Sequence, residues 1–142
     1  MNEPCPFCTS AKQEQRILKE GQYAYVIFSN PRLMPGHLLV IPKRHMEGKI
    51  KDLSKEERDE IFDLIAEFQS KILEKLASGC DIRQNYKPYV ENSRTHVNHL
   101  HFHLYPREYK DELHEKADIY RTPLYQDLAQ EEKERLFRLL GS

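Results

Sequence analysis

Between Val97 and Tyr105 the chain reads Val-Asn-His-Leu-His-Phe-His-Leu-Tyr, which from His99 onward alternates histidine with an apolar side chain. A period of two belongs to a β-strand, whose successive side chains point to opposite faces. The spacing predicts that His99, His101 and His103 share one face, with neighbouring rings about 6–7 Å apart. Leu100, Phe102 and Leu104 then point the other way, into a core. A backbone anchored by apolar packing that presents imidazoles together is a rigid platform for chemistry.

The apolar face of such a strand needs a covering layer, and one long helix supplies it. Ser54 followed by Glu57 makes a capping box. Beyond it Ile61, Leu64, Ile65, Phe68, Ile72 and Leu76 recur at helical spacing on one face, and Gly79 is expected to close the helix. Further strands are predicted over Arg16–Lys19 and Tyr23–Phe28, around a Glu20-Gly21 turn, over His37–Ile41, closed by Pro42, and over Cys80–Tyr86. Ser29-Asn30-Pro31 and Pro35-Gly36 read as loop punctuation, and Leu128–Leu140 as a final amphipathic stretch. The order predicts an α+β fold, an antiparallel sheet with one long helix packed on it and a helical C-terminal tail. A length of 142 residues suits one domain with a single core.

Acidic and basic residues are interspersed and nearly cancel, at a formal charge of −1. That argues against a dedicated nucleic-acid groove or a surface for anionic membranes. No apolar run approaches the roughly 20 residues of a membrane helix, and the N-terminus lacks the apolar core of a signal peptide. The expected setting is the cytoplasm. The cysteine count is odd, which disfavours a disulfide framework. Cys5 and Cys8 have the spacing of a metal site or a redox pair. Cys80, on an expected strand, reads as a core thiol.

Taken alone, the histidine alternation also fits an exposed polar strand face or a zinc triad. The wider pattern is more specific. His99-Leu100-His101-Phe102-His103-Leu104-Tyr105, continuing into Pro106-Arg107, resembles the signature of the histidine-triad (HIT) family. Pro35-Gly36-His37-Leu38-Leu39-Val40-Ile41-Pro42-Lys43-Arg44-His45 is similar to that family's other recurrent block, in the expected order, and Cys5-Pro6-Phe7-Cys8 resembles the start of many zinc-containing members. The resemblance covers about residues 5–107 of a single domain spanning 1–142, leaving 108–142 as a helical extension over the core or a partner subunit.

The resemblance implies catalysis by His101, His103 and His99, with His101 attacking the α-phosphorus of a nucleotide to form a nucleotidyl-histidine intermediate. A neutral imidazole is nucleophilic at pH 7. His103 is implied to contact phosphate oxygens and help the leaving group, and His37 to lie near the phosphate or ribose. Asn30 is the candidate for gripping a ribose hydroxyl, although the spacing to His37 is off by one and places Ser29 there. A structural Zn2+ is implied at Cys5, Cys8, His45 and His99, with His96 a possible substitute for His99. A homodimer, commonly through the helix and a strand, is also implied.

One stretch departs from the pattern. Where the family has Gly-Gln-(Ser or Thr)-Val, this chain has Arg94-Thr95-His96-Val97. Thr95 and His96 are the expected replacements for groups that hold the phosphate, with Arg94 adding charge and Asn92 standing in for a loop amide. The function expected is a nucleotide hydrolase acting at the α-phosphate of a dinucleoside polyphosphate or nucleoside phosphoramidate. The alternatives are a non-catalytic nucleotide-binding or zinc-stabilised interaction protein, and a nucleotidyltransferase to a sugar phosphate.

Overall fold

The computed structural model describes residues 5–10 and 14–141. They fall into two compact units, Met1–Glu108 and Tyr109–Ser142. The first unit opens with a short helix α1 (Pro6–Ser10) and is built on strands β1 (Ile17–Glu20), β2 (Ala24–Phe28), β3 (Leu38–Pro42), β4 (Gly79–Gln84) and β5 (Phe102–Arg107), with helix α2 (Lys55–Lys75) between β3 and β4. The sheet order is β1-β2-β3-β5-β4, every pair antiparallel. This is the expected α+β architecture.

The apolar runs of β2 and β3 are buried on both faces. Ala24, Val26, Leu38, Val40, Phe102 and Leu104 face α2, and meet Ile61, Leu64, Ile65, Phe68 and Ile72 in the main core. The opposite face carries Tyr25, Ile27, Leu39 and Ile41, with Phe7 and Ile17 packed against them. Pairing of Ile27 with Leu39, and of Leu39 with His103, extends that second face across the sheet. His103 therefore lies on the side away from the long helix.

The capping box of α2 forms as its sequence predicts. Ser54 Oγ accepts from the Glu57 amide at 3.1 Å, and Glu57 Oε1 accepts from the Ser54 amide at 2.8 Å. Glu57 also receives the Arg44 guanidinium at 2.9 and 3.2 Å, and Arg44 donates to the Asp52 carbonyl at 2.7 Å. The helix start is thus tied to the segment after β3, which carries His45.

Several boundaries differ from the expectations. α2 closes at Leu76, where the Leu76 and Ala77 amides both reach the Ile72 carbonyl at 2.9 Å. The chain has already turned before Gly79, which begins β4 instead of capping the helix, and Leu76 is 56% exposed, off the buried face. β1 and β3 each begin one residue later than expected, and the Gly21 amide closes the first hairpin on the Ala24 carbonyl at 2.7 Å. The largest correction concerns the histidine strand. β5 begins only at Phe102, and Val97–His101 lie outside the sheet. The Leu100 amide turns to the Met46 carbonyl at 2.9 Å, and the His99 ring donates to the Pro42 carbonyl at 2.9 Å, so this segment bonds to the end of β3 and the turn beyond it.

In the second unit, α3 (Glu112–Lys116) is capped by Asp111, whose side chain accepts from the His114 amide at 2.9 Å. A 3-10 turn over Asp118–Leu124 follows, and then α4 (Gln130–Leu140), the helical tail expected from the sequence. No described helix is long and apolar enough to cross a membrane.

The Arg44 guanidinium beside Glu57 holds its carboxyl below the usual carboxylate range. A depressed folded value means stabilisation that is complete above the unfolded value of about 4.3 and is lost as pH falls through the folded one. Thermal melts of wild type and Glu57→Gln should accordingly differ most near pH 6 and converge as pH falls through the lowered folded value. Ser54→Ala should cost about 1 kcal/mol in denaturant unfolding; a melting gap for Glu57→Gln that widens in acid would contradict the assignment.

Candidate functional site: a histidine cleft beside a four-ligand cluster

A cleft of about 710 Å³ opens on the sheet face away from α2, lined by His101, His103, His37, Tyr105, Leu39 and Phe7 and by loop residues from both ends of the strands. His103 and Tyr105 point there because their β5 neighbours Phe102 and Leu104 are consumed by the core. His37 arrives from Gly36, whose φ of 81° favours glycine and where a Cβ would run into Leu76.

The hydrogen bonds fix which nitrogen of each ring carries the proton. His101 Nδ1 lies 2.7 Å from the His99 carbonyl and must donate to it, leaving the Nε2 lone pair free. The Leu33 amide donates to His37 Nδ1 at 3.0 Å, so His37 Nε2 carries the hydrogen and donates to His103 Nδ1 at 2.9 Å. That leaves His103 with a hydrogen on Nε2. A nucleophilic nitrogen on His101 and a donor on His103 are set side by side, with ring centroids 4.7 Å apart. This is closer than the spacing expected of a continuous strand, because His101 has left the sheet.

Electrostatics keep these rings neutral. Burial pushes His103 down to about 3, with His101, His37 and Arg83 adding to the effect. Burial, then nearby His101, lowers His37 to about 4. His101 is also held below its ordinary value by burial, against the pull of its bond to the His99 carbonyl.

His99 does not join this pair at the cleft. It is 2% exposed and gives Nε2–H to Pro42, so its Nδ1 faces the cysteines. Cys5 Sγ lies 3.3 Å and Cys8 Sγ 3.6 Å from His99 Nδ1; His45 Nδ1 lies 3.2 Å from both Cys8 Sγ and His99 Nδ1. All four ligand atoms fall within 4.8 Å of one another. Tetrahedral zinc with ordinary bond lengths spaces its ligands by about 3.3–3.8 Å, so the cluster could hold a metal ion. The donor chemistry agrees. Burial, then the neighbouring Cys5, pushes the Cys8 thiol up to about 11, and a divalent cation at this point would stabilise both thiolates. His96, the possible substitute ligand, is outside the cluster and bonds Asn98 at 3.0 Å.

The remaining expected residues are distributed around the cleft. Asn30 and Ser29 both line it, with Asn30 the more exposed and the Ser29 hydroxyl committed to the Pro31 carbonyl at 2.8 Å. Thr95 lines it and bonds within its own turn to Ser93. Asn92 also lines it, but its side-chain oxygen accepts from the Asn98 amide at 2.7 Å, so it shapes the loop. Cys80 is half-buried against the main core.

Two residues went unassigned in the sequence. Phe7 meets His101 edge-on at 4.9 Å, and its carbonyl accepts from Tyr25 at 2.8 Å. Its position between two cysteines was the available signal. Tyr105 packs against His37 at 4.8 Å and closes the same layer; the alternation that ends in Tyr105 was the signal there.

Ring 15N NMR should find His101 protonated at Nδ1 and His103 at Nε2, with His37 showing no titration between pH 5 and 8. A His37 midpoint above 6 would contradict the buried relay.

A family model described as the HIT domain matches residues 10–110. The bis(5'-adenosyl)-triphosphatase of Dictyostelium discoideum is 27% identical over 128 residues, covering 86% of this chain and 84% of that protein. An asymmetrical bis(5'-nucleosyl)-tetraphosphatase of Schizosaccharomyces pombe is 33% identical over 79 residues, covering 56% of this chain but only 42% of its own length. Among solved structures, a Zn-bound histidine triad family protein from Mycobacterium smegmatis superposes with a TM-score of 0.63 at 25% identity, covering 95% of this chain and 91% of that one.

Proposed function

The chain belongs to the HIT domain family, and from that premise we propose that it is a nucleotide hydrolase acting at the α-phosphate of a dinucleoside polyphosphate or a nucleoside phosphoramidate. The observation that carries this reading is the pairing of a free His101 Nε2 with the His103 Nε2–H beside it. The names of the Dictyostelium and Schizosaccharomyces relatives, both dinucleoside polyphosphatases, support the substrate class.

His101 Nε2 attacks the α-phosphorus, the bond to the leaving group breaks, and a nucleotidyl-imidazole forms. Because Nδ1 keeps its proton, the ring gains positive charge as the N–P bond forms. The His99 carbonyl, already at 2.7 Å, stabilises that charge. His103 Nε2–H donates to a phosphate oxygen or to the departing atom, and His37 acts through His103 as a positioning residue. Water then cleaves the N–P bond, releases the nucleoside monophosphate and returns His101 to its starting state. Asn30 and Thr95, which line the cleft, would bind the ribose and phosphate, while Asn92 shapes the loop beside them. Holding the imidazole and phosphorus in line is worth up to about 7–11 kcal/mol of barrier.

The metal proposed at Cys5, Cys8, His45 and His99 is Zn2+. With four protein ligands it has no open position, and when bound it supplies a structural cross-link. Those residues hold the N-terminal segment, and with it Phe7, against the catalytic strand. A homodimer through α2 and the edge strand β4 is also proposed, where Phe62, Leu73 and Ile82 are exposed; light scattering reporting a monomer would remove it.

Nucleoside monophosphate release from diadenosine polyphosphates and adenosine phosphoramidates should fall at least about 1,000-fold in a folded His101→Ala variant, and about 100-fold or more in His103→Ala. Binding without turnover in the wild type would favour the non-catalytic alternative, for which the altered Arg94-Thr95-His96 stretch is the motive. Acceptor-dependent turnover would favour nucleotidyl transfer. Elemental analysis should find about one zinc per chain, lost in Cys8→Ser together with thermal stability; a metal-free protein of full stability would refute the site.

A further inference from the structure

Among the described residues that line the cleft holding His101 and His103 there is no aspartate or glutamate, yet three arginines line it: Arg16, Arg32 and Arg94. For a chain whose charges almost cancel, this is a local excess of positive charge. Arg16 donates to the Phe28 carbonyl at 3.1 Å. Arg32 and Arg94 are exposed, and among the described residues neither makes a hydrogen bond or ion pair. Both guanidiniums remain available for a ligand, and a guanidinium suits the fork geometry of phosphate.

Their placement is as informative as their charge. Arg32 sits on the loop that enters β3 at Leu38, and Arg94 on the loop that enters β5 at Phe102. β3 and β5 are antiparallel, with Leu38 opposite Leu104 and Val40 opposite Phe102, so these loops leave opposite ends of the paired strands. The catalytic histidines lie between them. Arg94 is carried on a pinned turn: the Ser93 amide bonds the His96 carbonyl at 2.7 Å, Asn92 holds the Asn98 amide at 2.7 Å, and Asn98 reaches the Val90 carbonyl at 3.2 Å. A cation on a fixed backbone loses less freedom on meeting its ligand than one on a loose loop. Arg32 follows Asn30, the residue proposed to bind ribose, so Arg94 is the cation at the other end of the cleft, where the negative charge of a ligand would continue beyond the reacting phosphate.

We propose that Arg94 is a specificity-determining residue that selects a substrate with a polyanionic leaving group, a chain of further phosphates, over one with an uncharged amine leaving group. This rests on the hydrolase reading and narrows its two substrate classes to the polyphosphates. The bond broken is then the P–O bond between the α-phosphate and the rest of the chain. The departing phosphate oxygen takes the electron pair, and Arg94 meets the negative charge it carries away.

The test combines binding of inorganic tripolyphosphate, by calorimetry, with turnover of diadenosine triphosphate and adenosine phosphoramidate, for wild type, R94Q and the charge-retaining R94K. The ratio of kcat/KM for the triphosphate to that for the phosphoramidate should fall about tenfold in R94Q and be largely restored in R94K. Tripolyphosphate affinity should fall by a similar factor and weaken as salt is raised. An unchanged substrate ratio, or tripolyphosphate affinity in R94Q within twofold of wild type, would overturn the proposal. If neither nucleotide is turned over by the wild type, the hydrolase reading fails, and the tripolyphosphate measurement alone decides whether Arg94 binds polyphosphate.

Discussion

The carbonyl oxygen of His99 is the point from which the site is organised. It accepts the Nδ1 hydrogen of His101 at 2.7 Å, and so decides which nitrogen of that ring faces the cleft. A continuous strand would have spent this carbonyl within the sheet. Here the segment up to His101 leaves the ladder, the Leu100 amide turning to Met46 and the His99 ring to Pro42. Each departure is compensated by another hydrogen bond, as a buried backbone requires. Within one turn of chain His99 faces the cysteines, Leu100 fills the core, His101 offers a lone pair and Phe102 restores the sheet.

The same economy ties folding to chemistry. Glu57 caps α2, receives Arg44, and thereby fixes the chain beside His45. His45 and His99 then meet Cys5 and Cys8, and this brackets Phe7 against the His101 ring. The helix start, the four-ligand cluster and the cleft wall are consecutive links in one path, although no side chain of α2 lines the cleft. Structural zinc sites in small domains carry much of the folding free energy, and a metal held by these four residues would dock Cys5 and Cys8, with Phe7 between them, onto the sheet.

Much of this was legible in the sequence because it rests on local chemistry. The capping box is readable from Ser54 and Glu57 alone, the apolar face of α2 from its period, and the convergence of Cys5, Cys8, His45 and His99 from their resemblance to a family pattern. What was not legible depends on partners distant in sequence. The alternation from Val97 to Tyr105 is real, but it could not reveal that Met46 and Pro42 would draw the first half out of the sheet. Likewise, His37 read as a residue near phosphate or ribose, and only the Leu33 amide and His103 reveal a buried relay. Gly79 looked like a helix cap; the chain had already turned at Leu76. The open guanidiniums of Arg32 and Arg94 depend on which acids are absent around them, a property of the fold and not of any motif.

The central claim is that His101 Nε2 becomes covalently bonded to the α-phosphorus. Rapid mixing with diadenosine triphosphate, quenching at alkaline pH where phosphoramidate bonds persist, and peptide mass spectrometry would test it directly. The account predicts a transient adenylyl adduct on the peptide containing His99–His103, localised to His101 by fragmentation. Turnover in the absence of any adduct, or an adduct on His103, would contradict it.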